Sequence, residues 1–134
     1  MKNLKSVAII GIGAFALFSF SMAVQAKWDA PAKYKSMKNP TDAGDKESAA
    51  EGKALFAKNC TSCHGKKGQG DGSKAPELKG DLGDFTTAAF QKQTDGELYY
   101  KITEGREDMP SFKKKIANEE DRWLIVNYMR TLKK

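Results

Sequence analysis

The five residues Cys60-Thr61-Ser62-Cys63-His64 carry the strongest signal in this chain of 134 residues. They have the pattern C-x-x-C-H, which is typical of covalent attachment of a c-type haem. Two thiols at this spacing reach the two vinyl groups of a haem and form thioethers with them. The next residue then lies beneath the iron, where an imidazole nitrogen can bind it. We therefore expect one haem c, attached through Cys60 and Cys63 and ligated by His64.

Other uses of paired cysteines fit the composition poorly. A zinc site with four ligands is excluded, because Cys60, Cys63 and His64 are the only cysteines and the only histidine of the chain. A disulfide between the two cysteines would close a loop too small to add much stability, and it would leave His64 unexplained. A thioredoxin-like dithiol would follow a strand in a βαβ unit, and no strand pattern precedes the motif.

The N-terminal segment has the features of a secretory signal peptide. Lys2 and Lys5 precede an apolar run from residue 7 to about 24, and a small-residue cleavage site ends at Ala26. We predict cleavage after Ala26 and export to a bacterial periplasm, where covalent haem attachment of this kind can take place. An uncleaved membrane anchor is the alternative, since the run approaches the length that spans a bilayer.

The charge of the chain is close to balanced. The formal net charge of +6 falls to +4 after cleavage, because Lys2 and Lys5 leave with the signal peptide and no acidic residue does. No block of basic residues is interleaved with aromatic ones, so a nucleic acid is not expected as a partner.

We divide the chain into a signal peptide (1–26), an extended N-terminal arm (27–46) and one small domain (47–134). The arm contains Pro31 and Pro40, which argue against a long helix. Its aromatic residues favour packing on the domain, and a flexible linker is the alternative.

No strand pattern of any length appears, and we predict an all-α domain with long loops. Apolar periodicity and capping residues predict helices over 47–59, 94–105 and 118–132, and a short helix or turn within 81–91. Gly52 lies in the middle of the first segment, where glycine costs about 1 kcal/mol relative to alanine. It predicts the close approach of another helix at that point.

The iron of such a haem has a second axial position. A thioether, a lysine, the N-terminal amine and water are the candidates for it, since the chain has no second histidine. Of the five methionines, two leave with the signal peptide, and Met129 is expected to fill the core. Met109 is favoured over Met37, because it lies in an irregular loop held extended by Pro110. A thioether raises the reduction potential and closes the iron to small ligands, which favours electron transfer.

Between about residues 47 and 132 the chain resembles the class I c-type cytochromes. The resemblance rests on Gly52, Phe56, the CTSCH motif, TDGELYYKITEG (94–105), DMPSF (108–112) and EEDRWLIVNYMRTL (119–132). It implies a small cytochrome c fold in which the N- and C-terminal helices cross. One or two short middle helices and loops that wrap the haem complete that fold. It also implies that the carbonyl of Pro76 accepts a hydrogen bond from the imidazole of His64, which would fix the ring. An ordinary loop proline is the alternative.

The function implied is a periplasmic carrier that shuttles single electrons between redox proteins by Fe(III)/Fe(II) cycling, and not an enzyme. Its partners would dock transiently, and it would meet a membrane only through an uncleaved signal peptide or a partner complex. Residues 113–115 are three lysines that would attract an acidic partner if they lie near the haem edge, or else form a solvated charge run. The alternatives are a cytochrome subunit fixed in a membrane respiratory complex, and an open-site haem sensor or enzyme.

Overall fold

The computed structural model describes residues 28–134, so the predicted signal peptide and its cleavage site lie outside the described residues. Helices make up the regular structure of the described range, apart from one isolated β-bridge between Arg106 and Met109. The helices are α1 (Ala32–Lys35), α2 (Lys46–Asn59), α3 (Thr61–His64), α4 (Ala88–Gln91), α5 (Asp95–Glu104) and α6 (Glu119–Thr131), with a 3-10 turn at Ala75–Glu77. The prediction of an all-α domain is confirmed.

Helices α2 and α6 cross at Gly52. A Cβ atom at this position would collide with the backbone carbonyl of Leu124, so a larger residue would force the two helices apart. Beside the crossing, the ring of Phe56 lies 5.1 Å from that of Tyr128 and 6.3 Å from that of Phe85. The close approach predicted from a glycine in mid-helix is confirmed.

Side chains that satisfy free backbone N–H groups set the starts of the three longer helices. The carboxylate of Asp45 accepts a hydrogen bond from the third residue of α2, which begins one residue earlier than predicted. Thr94 and Glu97 form the predicted capping box of α5, and Asn118 caps α6. Each cap of this kind contributes about 1 kcal/mol to helix stability.

The core of the domain surrounds α6. Ile125 and Val126 have no exposed surface, and the ring of Trp123 stacks on that of Tyr99 with centroids 4.0 Å apart. The structure buries nearly every side of this helix. The reason is that α6 is covered by α2 on one side and by the N-terminal arm on another.

The arm packs on the domain, as its aromatic residues suggested, and it contains the single turn α1. The ring of Tyr34 lies 4.7 Å from that of Tyr100 in α5. The amide of Asn39 donates to Asn127 of α6 at 2.6 Å, and Asn127 donates to the hydroxyl of Thr41 at 2.9 Å. The division of the chain at residues 46 and 47 stays a prediction.

Within residues 28–134, no helix combines the length and the apolar character that crossing a membrane requires.

Candidate functional site

The CTSCH motif forms a single helical turn that follows α2 directly. The N–H of Cys60 donates to the carbonyl of Phe56 and ends α2. The carbonyl of Cys60 then accepts hydrogen bonds from the N–H groups of Cys63 (3.2 Å) and His64 (2.9 Å). Residues three apart on a helical turn lie on the same side. Both cysteines are half-buried free thiols, so neither is used in a disulfide.

The thiol of Cys60 lies in an apolar environment. Its burial raises its pKa to about 12, while the positive charge of Lys115 opposes that shift. A reactive dithiol requires a lowered pKa, because the thiolate is the nucleophile. The thiol of Cys60 therefore stays neutral near pH 7, which disfavours a redox dithiol and suits a sulfur that faces an apolar group.

The imidazole of His64 is neutral and oriented by a hydrogen bond, as a metal-binding imidazole must be. Burial lowers its pKa, which keeps the ring neutral near pH 7. Its Nδ1 atom lies 3.1 Å from the carbonyl oxygen of Leu82. A carbonyl can only accept, so Nδ1 carries the proton and Nε2 keeps the lone pair that an iron ion would take. A hydrogen bond of this kind orients a ligating imidazole and increases its basicity.

The structure differs from the expectation for Pro76. This proline lies in the exposed 3-10 turn Ala75–Glu77, and the carbonyl that reaches His64 Nδ1 belongs to Leu82 instead. The contacts of Phe85 explain why Leu82, and not Pro76, supplies this carbonyl. The N–H of Phe85 donates to the carbonyl of Gly68 (2.7 Å), and its ring lies 4.6 Å from the imidazole. This anchoring holds the preceding loop, with Leu82, beside the ring.

The glycine-rich loop 65–72 packs against the motif turn and donates hydrogen bonds to its backbone carbonyls. The last carbonyls of a short helix have no partner within it, and here the loop supplies donors. The N–H groups of Gly70 and Gly72 donate to the carbonyls of His64 (2.9 Å) and Cys63 (3.1 Å). A Cβ atom at Gly72 would collide with the backbone of the motif. Glycine at this position is therefore required for the loop to approach the motif turn this closely. Sequence reasoning did not find this support, because backbone donors leave no side-chain pattern.

Met109 lies in a tight hairpin that follows α5. The backbone N–H and carbonyl groups of Arg106 and Met109 form two mutual hydrogen bonds of 2.9 Å, and Glu107 between them has φ 54°. The carboxylate of Asp108 accepts a hydrogen bond from the N–H of Lys79 at 3.0 Å, which ties the hairpin to the loop after the 3-10 turn.

The three remaining methionines lie in different environments. Met109 is half-buried and packs against the same apolar cluster as Cys60. Met129 is buried within that cluster, as expected for a core residue. Met37 is 38% exposed and lies against Gly96 at the start of α5. Of these three, Met109 combines partial burial with a fixed loop beside the cluster that Cys60 contacts.

These groups fit a covalently attached haem. Two free thiols and a neutral imidazole with a free Nε2 lie on one turn, and a thioether lies in a hydrogen-bonded loop against the same cluster. In the part of the chain that the structure describes, no group of three or more His, Cys, Asp and Glu side chains is arranged to hold a metal ion.

Comparisons with known proteins agree with this arrangement. The family model described as "Cytochrome C oxidase, cbb3-type, subunit III" matches residues 47–129. No curated protein sequence matches the chain significantly.

Several chains of solved structures are similar to this one, including the following two. One belongs to the "Kuenenia stuttgartiensis reducing HAO-like protein complex Kustc0457/Kustc0458", with 29% identity and a TM-score of 0.58 over 76% of this chain and 53% of that one. Our chain thus spans about half the length of that neighbour. The other is the "KustC0563 c-type cytochrome", with 32% identity and a TM-score of 0.53 over 62% of this chain and 98% of that one.

The chain therefore belongs to the c-type cytochrome family that the matched model describes, whose domains bind haem c covalently and transfer electrons through it.

Proposed function

We propose that the protein is a periplasmic electron carrier with one haem c, attached at Cys60 and Cys63 and ligated by His64 and Met109. The observation that carries the proposal is the motif turn, on which a neutral imidazole has its Nδ1 proton bound by Leu82 and its Nε2 lone pair free. The sequence contains one C-x-x-C-H motif, which supports one haem. When bound, the haem supplies one-electron Fe(III)/Fe(II) chemistry.

The protein's own residues hold the group and exclude competing chemistry. Retaining both axial ligands in both oxidation states would change the structure little during transfer. A thioether from Met109 stabilises Fe(II) and leaves no open position for a small ligand. We therefore propose no catalytic residue and no substrate that is turned over.

Lys115 supports a docking surface near the cofactor. Its charge acts on the thiol of Cys60, and its Nζ lies 5.6 Å from the ring centroid of Phe112. It is exposed, like Lys113 and Lys114 beside it. Cations beside the attachment site would attract an acidic redox partner, and such encounters have small interfaces, below about 1,200 Å².

The test is export of the full chain in a bacterium with haem-attachment machinery. The intact mass should equal the polypeptide from Lys27 plus one haem, and the Fe(III) protein should show the far-red absorption band of thioether ligation. A processed polypeptide without an added porphyrin would refute the proposal. A holoprotein without the band would refute only the ligation by Met109 and would leave haem attachment in place.

A second candidate is a subunit of a larger redox assembly. The description of the family model and the name of one structural neighbour both refer to multi-protein assemblies, which favours this alternative. Fractionation separates the two functions. A carrier leaves with the soluble periplasm as a particle of its own mass, whereas a subunit is recovered with the membrane or in a larger complex.

A further inference from the structure

The N-terminal arm reaches the hairpin that carries Met109. The ring centroid of Trp28 lies 4.9 Å from the guanidinium carbon of Arg106 and 5.4 Å from the Nζ atom of Lys101. Both distances are within the range in which an aromatic face attracts a cation, and the attraction increases as the pair loses contact with water. Trp28 is half-buried, so part of this water is already excluded.

The backbone of Arg106 is linked directly to that of Met109. The two residues are joined by their two backbone hydrogen bonds, both 2.9 Å long. Gly105, which precedes them, has φ 68°, and a Cβ atom there would collide with the backbone of the hairpin. The hairpin is therefore a compact unit, and a contact that fixes Arg106 also restrains the thioether of Met109.

The arm is attached to the domain at two further places, so Trp28 belongs to a segment that packs on the domain. At the start of α5, the carbonyl of Tyr34 lies so close to Gly96 that a Cβ atom there would collide with it. On α6, the buried amide of Asn127 bonds both Asn39 and Thr41. The arm thus has fixed attachments on α5 and α6, and Trp28 extends from them to the hairpin.

We propose that Trp28 is a positioning residue for the second axial ligand: through Arg106 it holds the Met109 hairpin in place and so resists displacement of the thioether from the iron. The inference rests on the proposed ligation by Met109. The arm lies outside residues 47–129, which the family model matches. The restraint is therefore an addition to the matched domain.

The experiment is a titration of the Fe(III) holoprotein with imidazole, which competes with the thioether for iron, followed by loss of the far-red band. For Trp28→Ala the half-saturating imidazole concentration should fall about 5-fold, which corresponds to about 1 kcal/mol. Trp28→Phe keeps an aromatic face, so its half-saturating concentration should stay within about 2-fold of the parent value. Lys38→Ala, an exposed arm residue, is the matched control and should titrate like the parent.

A double-mutant cycle separates the contact from a general loosening of the fold. Arg106→Gln should lower the half-saturating concentration like Trp28→Ala, and the double variant should lower it no further than either single variant. If Trp28→Ala does not mature with haem, Arg106→Gln carries the test, and an Arg106→Gln protein that titrates like the parent would overturn the inference. Additive effects, or a Trp28→Ala protein that titrates like the parent, would overturn the inference. Absence of the band in the parent would instead refute ligation by Met109.

Discussion

Among single residues, Met109 has the largest expected effect on the electronic properties of the protein. Met109→Ala removes the thioether that we propose as the second axial ligand, so the far-red band should disappear. The reduction potential should fall by on the order of 0.1 V or more, within the roughly 0.8 V that axial ligands span. Spectra and a potentiometric titration measure both. Met37→Ala is the control, because Met37 is exposed and lies against α5. If Met37→Ala alone loses the band, Met37 is the ligand.

Arg122 is the residue whose removal should cost the most stability. Its side chain is 2% exposed, and it donates to the hydroxyls of Tyr99 (2.8 Å) and Thr103 (3.2 Å) and to the carbonyl of Ile116. Arg122→Ala leaves these acceptors without a donor and removes the packing of the guanidinium on the Tyr99 ring. We expect the free energy of unfolding of the holoprotein to fall by about 3 kcal/mol, measured by denaturant titration.

Glu119 supplies the matched control for this network. Its carboxylate lies 3.6 Å from the Arg122 guanidinium, but its side chain is 80% exposed. Because water screens such a pair, Glu119→Ala should lower the free energy of unfolding by less than about 1 kcal/mol. Equal losses for Glu119→Ala and Arg122→Ala would mean that the ion pair, and not the buried hydrogen bonds, stabilises this region.

At the scale of the elements, the crossing of α2 and α6 depends on one missing side chain. Gly52→Ala would gain helix propensity, about 1 kcal/mol, but its methyl group would collide with the Leu124 carbonyl, and backbone cannot move aside cheaply. We expect a net loss of about 1–3 kcal/mol in the free energy of unfolding, as for other overpacked sites. Gly80→Ala is the control, since a Cβ atom there meets only the mobile end of Glu107 at 3.8 Å. A stabilised Gly52→Ala protein would contradict the observed crossing.

The helices could be predicted because their signals are local. The capping box at Thr94 and the cap at Asn118 are side-chain features that occupy a few consecutive positions. The path of the arm could not be derived in this way, since it depends on contacts such as that between Asn39 and Asn127, which are 88 positions apart.

The same distinction applies to the site. The CTSCH residues were identifiable by type and spacing, whereas the hydrogen bond to His64 comes from a carbonyl of Leu82, which any residue could supply. The resemblance implied the carbonyl of Pro76 instead, and no side-chain pattern in the sequence could distinguish one backbone acceptor from the other. Lys115 is remote from Cys60 in sequence, so only the fold reveals that its charge acts on that thiol.

For the molecule as a whole, the distribution of charge should decide which reagents exchange electrons with it quickly. Lys115→Glu reverses a charge beside the attachment site. At low ionic strength it should slow oxidation by anionic ferricyanide about 3–10-fold and accelerate oxidation by a cationic cobalt complex. Stopped-flow absorption measures both rates. The difference should shrink toward 0.15 M salt, where the screening length is about 8 Å.

Lys38→Glu makes the same change in net charge on the exposed arm, next to the start of α5. If the field near the cofactor controls the encounter, Lys38→Glu should change the ferricyanide rate much less than Lys115→Glu. Equal effects of the two variants would mean that only total charge matters, and electrons would then not leave the protein beside Lys115. Since both lysines are exposed, neither substitution should alter the far-red band, and an unchanged band shows that the rates compare intact sites.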